Sequence, residues 1–213
     1  MEFFEGMGVA LKTERGRRVF PVSDSAQDIK NALDKHAKGA KIIFDDVTEL
    51  LFDEERVPLS LEEYTELKEL ALKSAKDFLK LYESIPDKNE SAIPMIPQKI
   101  TFLGPRSRTA WEMYEHTKCV NQYYFGEIGV KADNEGTIFE CRKRGFELLE
   151  ADPNFLNKEV VVGSFDEEWS LRKVLRRFIW HDRIHGKAMY RMAVKTFGAL
   201  IPDNTFMFNS DQL

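Results

Sequence analysis

The sequence predicts a mainly α protein: a four-helix bundle over residues 58–213, preceded by a small α+β extension at residues 1–57. Three observations carry this. From residue 60 onward, apolar residues recur at three- and four-residue steps in four separate stretches, the pattern of amphipathic helices. Before residue 57, short β-type runs flank a single helical stretch. Finally, 213 residues with 43% hydrophobic content can bury roughly 70% of the unfolded surface in one large domain. No run approaches the ~20 apolar residues that span a bilayer.

In chain order, "GVALKTERGRRVFPV" reads as two short strands around a Glu-Arg-Gly-Arg turn. "SDSAQDIKNALDKHAKG" follows as a polar-capped helix with a glycine stop, and "AKIIF" as a strand. "SLEE" at 60–63 is a capping box, in which the Ser60 hydroxyl and the Glu63 carboxylate satisfy free N–H groups at a helix start. The helix it opens runs to about residue 85, with Tyr64, Leu67, Ala71, Phe78, Leu81 and Ile85 facing the core. Four prolines in "SIPDKNESAIPMIPQKITFLGP" then enforce a long irregular connection. A second helix is expected from Ser107 or Thr109 to Phe125 and a third from Asn134 to Glu150. A box at Ser164 and Glu167 is expected to open the last helix, which runs to Phe197.

A net charge of −5 gives no general attraction to phosphate backbones, so nucleic acid is not an expected partner. Nor is a membrane. The basic cluster Arg172, Lys173, Arg176 and Arg177 reads as a solvated face. The two cysteines, Cys119 and Cys141, lie too far apart for a local metal knuckle and read as space-filling thiols of a reducing compartment. The N-terminus places acidic residues before basic ones, unlike a secretory leader, so the expected location is cytoplasmic.

The chemistry concentrates in the histidines, of which there are four. His36 lies among charged neighbours and reads as an exposed helix residue. In the last helix, Leu171, Val174, Phe178, His181, His185, Ala188 and Met192 form one continuous stripe, so both histidines point inward. Residues four apart on a helix have Cβ atoms about 6 Å apart, and two such imidazoles can converge on one ion. In the second helix the inner stripe reads Thr109, Met113, His116, Val120 and Tyr123, which turns His116 inward as well. A single inward histidine is ordinarily a hydrogen-bonded core residue. Three would need partners for six ring nitrogens, whereas a metal takes one nitrogen from each. Asp182 and Glu115 read as outward. Tyr123 and Tyr124 pack in the core or line a pocket.

The stretches "RTAWEMYEHTKCVNQYYF" and "LRKVLRRFIWHDRIHGKAMYRM", with Trp180 preceding His181, resemble the DinB-like superfamily, also grouped with the YfiT-like metal-dependent hydrolases. Over residues 60–200 the resemblance implies a four-helix bundle binding a divalent metal, Zn or Ni, through His116, His181 and His185. It implies a metal-dependent enzyme acting on a small molecule. That enzyme would be an S-transferase or isomerase using a low-molecular-weight thiol such as bacillithiol or mycothiol, or a hydrolase. It also implies a homodimer. The spacing from His116 to His181 is short for the family, and the N-terminal α+β segment is not part of its usual bundle. The alternative is a non-catalytic bundle whose metal or pocket serves structure or ligand binding.

Overall fold

The structure, a computed structural model, describes residues 2–14, 18–23, 25–37, 49–93, 107–198 and 203–208. Two compact units divide the chain, Met1–Asp46 and Val47–Leu213; the second begins upstream of residue 57.

In the first unit, helix α1 (Glu2–Gly6) precedes an antiparallel hairpin of β1 (Leu11–Glu14) and β2 (Arg18–Pro21), in which Leu11 faces Pro21 and Glu14 faces Arg18. Helix α2 (Ala26–Ala37) follows, burying Ala32. The expected strand at 40–44 and the side chain of His36 lie outside the described residues, as do residues 94–106 of the proline-rich connection.

The second unit is a bundle of α3 (Leu61–Ser84), α4 (Ala110–Glu127), α5 (Ile138–Glu150) and α6 (Leu171–Phe197). The chain is thus mainly α, as its periodicity predicts. Each helix starts where a side chain takes up a free backbone N–H. Glu63 N–H donates to Ser60 Oγ (3.2 Å) while Ser60 N–H donates to the Glu63 carboxylate (2.9 Å). Thr109 with Glu112 and Thr137 with Glu140 repeat the box for α4 and α5. Helix α5 therefore begins after Thr137, later than Asn134.

The start of α6 corrects the sequence reading. Ser164 opens no long helix: residues 163–167 turn back sharply, with Phe165 and Asp166 at φ +61° and +56°. The turn joins β3 (Val161–Val162) to β4 (Glu168–Trp169), and the helix starts only after Ser170, whose hydroxyl accepts from Lys173 N–H at 3.1 Å. Trp169, fully buried at the end of this hairpin, packs tilted against Tyr124 with the Lys173 ammonium over its ring.

Helix α3 packs on α6 and α5, and α4 packs on the same two, so α3 and α4 lie mainly across the bundle from one another. Two apolar clusters fill it. One holds Tyr124, Phe125, Phe146, Trp169 and Phe178; the other holds Phe78, Leu81, Met113, Ile138 and Met189. Between them runs a layer of buried polar residues drawn from every helix: Ser74, Thr117, Asn121, Arg142, His181 and Asp182. No helix among the described residues is long and apolar enough to cross a membrane.

Candidate metal centre

The polar layer holds the histidines. Burying polar groups at mid-core costs free energy unless each finds a partner, so a layer of this kind asks for a reason. On α6, the four-residue step places His181 and His185 one turn apart, with ring centroids separated by 4.3 Å. His116 of α4 meets both, at 5.4 Å from His181 and 4.6 Å from His185. One ligand-capable nitrogen from each ring lies within 4.8 Å of the other two, and among the described residues no thiol or carboxylate joins them. The three residues picked from helical spacing are thus brought together in space.

His181 is 6% exposed, while His116 and His185 are only partly buried. The cluster therefore has a deep end and an open end. Tyr124 presents its edge to His181 at a centroid distance of 6.0 Å. The Arg177 guanidinium lies 5.3 Å from the Tyr124 ring and 5.2 Å from that of Trp180, and it pairs with Glu49.

All three imidazoles hold protons less readily than free histidine. Burial pushes His181 down to about 2, helped by His185, His116, Arg177 and Arg142. Burial, then His116, pushes His185 to about 4. His116 is lowered by burial alone. The cluster is therefore neutral at pH 7, with nitrogen lone pairs that protons do not contest.

The donor set suits a divalent ion. Three nitrogens bonded tetrahedrally at about 2.0–2.1 Å stand about 3.3 Å apart, so closing the observed set takes a contraction of roughly 1.5 Å at most, within reach of side-chain rotation. Moreover, His181 Nδ1 is buried with no hydrogen-bond partner. An orphaned nitrogen among three neutral imidazoles is what a ligand set leaves when described without its ion.

Other expectations resolve differently. Asp182, read as outward, is 0% exposed and pairs with Arg142. Lys173, assigned to a solvated face, is fully buried against Glu167, and its neighbours Arg172, Arg176 and Arg177 pair with Glu63, Glu55 and Glu49. The face is lined with protein because residues 49–56 pack along it. On α4 the buried side is Met113, Tyr114, Thr117, Val120, Asn121, Tyr124 and Phe125, rotated from the stripe read in sequence, so Tyr123 is 37% exposed and His116 sits at the margin. Glu115 points outward as expected and pairs with Lys118 at 3.0 Å. Cys141 is buried, accepting from Asn121, whereas Cys119 is exposed.

Arg142 is the site-related residue missed in the sequence. A signal was there: it falls in phase with Ile138, Cys141, Gly145, Phe146 and Leu149, the buried side of α5. Compared with known proteins, the chain matches no family model, no curated protein and no solved structure.

Proposed function

We propose that His116, His181 and His185 hold a divalent metal ion, zinc or nickel, in a DinB-like bundle, and that the protein is a metal-dependent enzyme acting on a small molecule. The observation that carries the reading is the meeting of three neutral imidazoles from two helices, one nitrogen of each within 4.8 Å of the other two, with Nδ1 of His181 buried and unpartnered beside it. Imidazole donors suit zinc and nickel alike. Such an ion acts as a Lewis acid and lowers the pKa of a coordinated water or thiol, the chemistry that S-transfer to a low-molecular-weight thiol or hydrolysis requires. The chain supplies the rest. His181 anchors the closed end, the partly exposed His116 and His185 flank the open one, and the buried Tyr124 ring covers His181 on the apolar side.

Metal analysis of freshly isolated protein tests the site. The expected result is near-stoichiometric zinc or nickel, lost in His116→Ala; absence of metal from both proteins after loading would remove the reading. Bacillithiol or mycothiol added to the Co²⁺-substituted protein tests the reaction class. A shifted visible spectrum supports S-transfer, and an unchanged one with every thiol leaves hydrolysis.

A further inference from the structure

One guanidinium in the polar layer touches all four helices of the bundle. Arg142 of α5 is fully buried. Its Nε donates to Asn121 Oδ1 on α4, and its Nη1 donates to the Ala71 carbonyl on α3 at 3.2 Å. Nη1 and Nη2 grip the two carboxylate oxygens of Asp182 on α6 at 3.0 and 3.1 Å, and the guanidinium carbon lies 3.9 Å from the centroid of the Phe178 ring, also on α6. Asn121 is itself fixed, donating to the Lys118 carbonyl and to Cys141 Sγ.

Stability does not account for this arrangement. A buried ion pair is expensive to desolvate, and apolar residues of similar volume generally do as well or better. What leucine and methionine lack is direction. Apolar contacts tolerate a rotation of one helix against another, whereas a two-pronged guanidinium–carboxylate pair permits one orientation only. The position of the pair gives that orientation a use. Asp182 is the immediate neighbour of His181, and Asn121 lies on the helix of His116. Successive helical residues are 100° apart around the axis, so even a modest rotation of α6 swings His181 and His185 off His116.

We propose that Arg142 is a positioning residue for the histidine cluster: by holding Asp182 and Asn121 at once, it sets the rotation of the two helices from which His116, His181 and His185 project. The inference rests on the metal-centre reading for its metal readout, but the placement of the rings can be read without any ion.

The test compares wild type with Arg142→Met/Asp182→Leu, a volume-conserving apolar replacement that removes both charges, and with Arg142→Lys, which keeps the charge and loses the fork. Both are expected to fold, to bind Co²⁺ about 10- to 100-fold more weakly and to show displaced visible bands. In the metal-free proteins, the nuclear Overhauser contact between the ring protons of His116 and His181 is expected in wild type and weakened or lost in both variants. A folded double variant with wild-type Co²⁺ affinity, bands and ring contact would overturn the proposal. If the double variant does not fold, Asn121→Ala, which releases only the grip on α4, decides: weaker Co²⁺ binding at little change in melting temperature supports positioning, and unchanged binding rejects it. If wild type takes no Co²⁺, the metal reading falls, and the ring contact alone decides whether Arg142 positions the histidines.

Discussion

Lys173 and Glu167 form an ion pair inside the protein, with Nζ 2.7 Å from Oε1 and the side chains 0% and 5% exposed. The ammonium donates to the carbonyls of Glu49 and Glu168 as well, at 2.6 and 2.7 Å, so all three of its protons are spent. It thereby ties residues 49–56 and the β3–β4 hairpin to the first turn of α6. Removing one partner leaves a buried charge uncompensated, which costs about 3–5 kcal/mol, whereas removing both with apolar replacements costs far less. Glu167→Leu is accordingly expected to lower unfolding free energy by that amount, and Lys173→Met/Glu167→Leu to recover part of it. Denaturant titration of the two singles and the double measures the coupling; simple additivity would show that the pair does not act as one.

Acid should weaken the fold through the histidines. An unfolded histidine titrates near 6.5, while His185 and His181 in the folded chain titrate near 4 and 2 because burial disfavours their charged forms. Their neutral state is native-compatible above pH 6.5. As pH falls below that value the unfolded chain takes up protons that the folded chain refuses, so stability drops until the folded values are reached. For His185 alone the full loss is on the order of 3 kcal/mol. Melting temperature recorded from pH 7.5 to 4.5 is expected to fall below about pH 6.5, and His181→Leu to flatten the slope. Equal slopes would mean that His181 does not contribute.

The same rings predict how metal and acid compete. A bound proton excludes an ion from the same nitrogen, and His185 takes a proton only near pH 4. Metal affinity should therefore change little between pH 7 and pH 5 on account of His181 and His185, and fall as pH drops through about 4. Equilibrium dialysis across that range measures it; an affinity already falling at pH 6.5 would point to ordinary, exposed histidines.

The sequence carried the histidine cluster because spacing alone fixes which side of a helix a residue occupies: His181 and His185 follow Phe178 at steps of three and four, and nothing in the tertiary structure disturbs that. Rotation of α4 was read less well. The stripe read from apolar spacing omits Thr117 and Asn121, which are polar, yet both are fully buried, and Asn121 is held by Arg142. The same failing hid Asp182 and Lys173. A buried charge is recognised by its partner, and the partners, Arg142 on α5 and Glu167 in a loop, lie outside α6, so the periodicity of α6 does not reveal them.

Two look-alike motifs separate local pattern from tertiary outcome. Thr137 with Glu140 and Ser164 with Glu167 both place a hydroxyl three residues before a carboxylate. Only the first caps a helix: Glu140 N–H donates to Thr137 Oγ1 at 3.2 Å, and no side-chain cap forms at the turn holding Ser164. Thr137→Ala should cost about 1 kcal/mol, and Ser164→Ala should stay within about 0.5 kcal/mol of wild type. Thermal unfolding of the two variants checks this, and similar losses for both would contradict it.

Gly145 shows how closely α5 approaches α4. A Cβ built on it would stand 2.1 Å from Cε2 of Phe125 and within 2.7 Å of two further ring atoms. That ring has nowhere to go: it meets Phe146 edge-on at 5.2 Å and Phe178 at 5.1 Å, and it is wholly buried. Helix propensity alone would make Gly145→Ala favourable by up to about 1 kcal/mol. Overpacking costs about 1–3 kcal/mol or more, and with rigid rings on every side it wins. Gly126, on an exposed turn of α4 with nothing within 4 Å of its virtual Cβ, isolates the propensity effect. Gly145→Ala is therefore expected to lower the unfolding midpoint and Gly126→Ala to leave it unchanged or raise it. A stabilised Gly145→Ala would mean that the two helices stand further apart than the Phe125 ring allows.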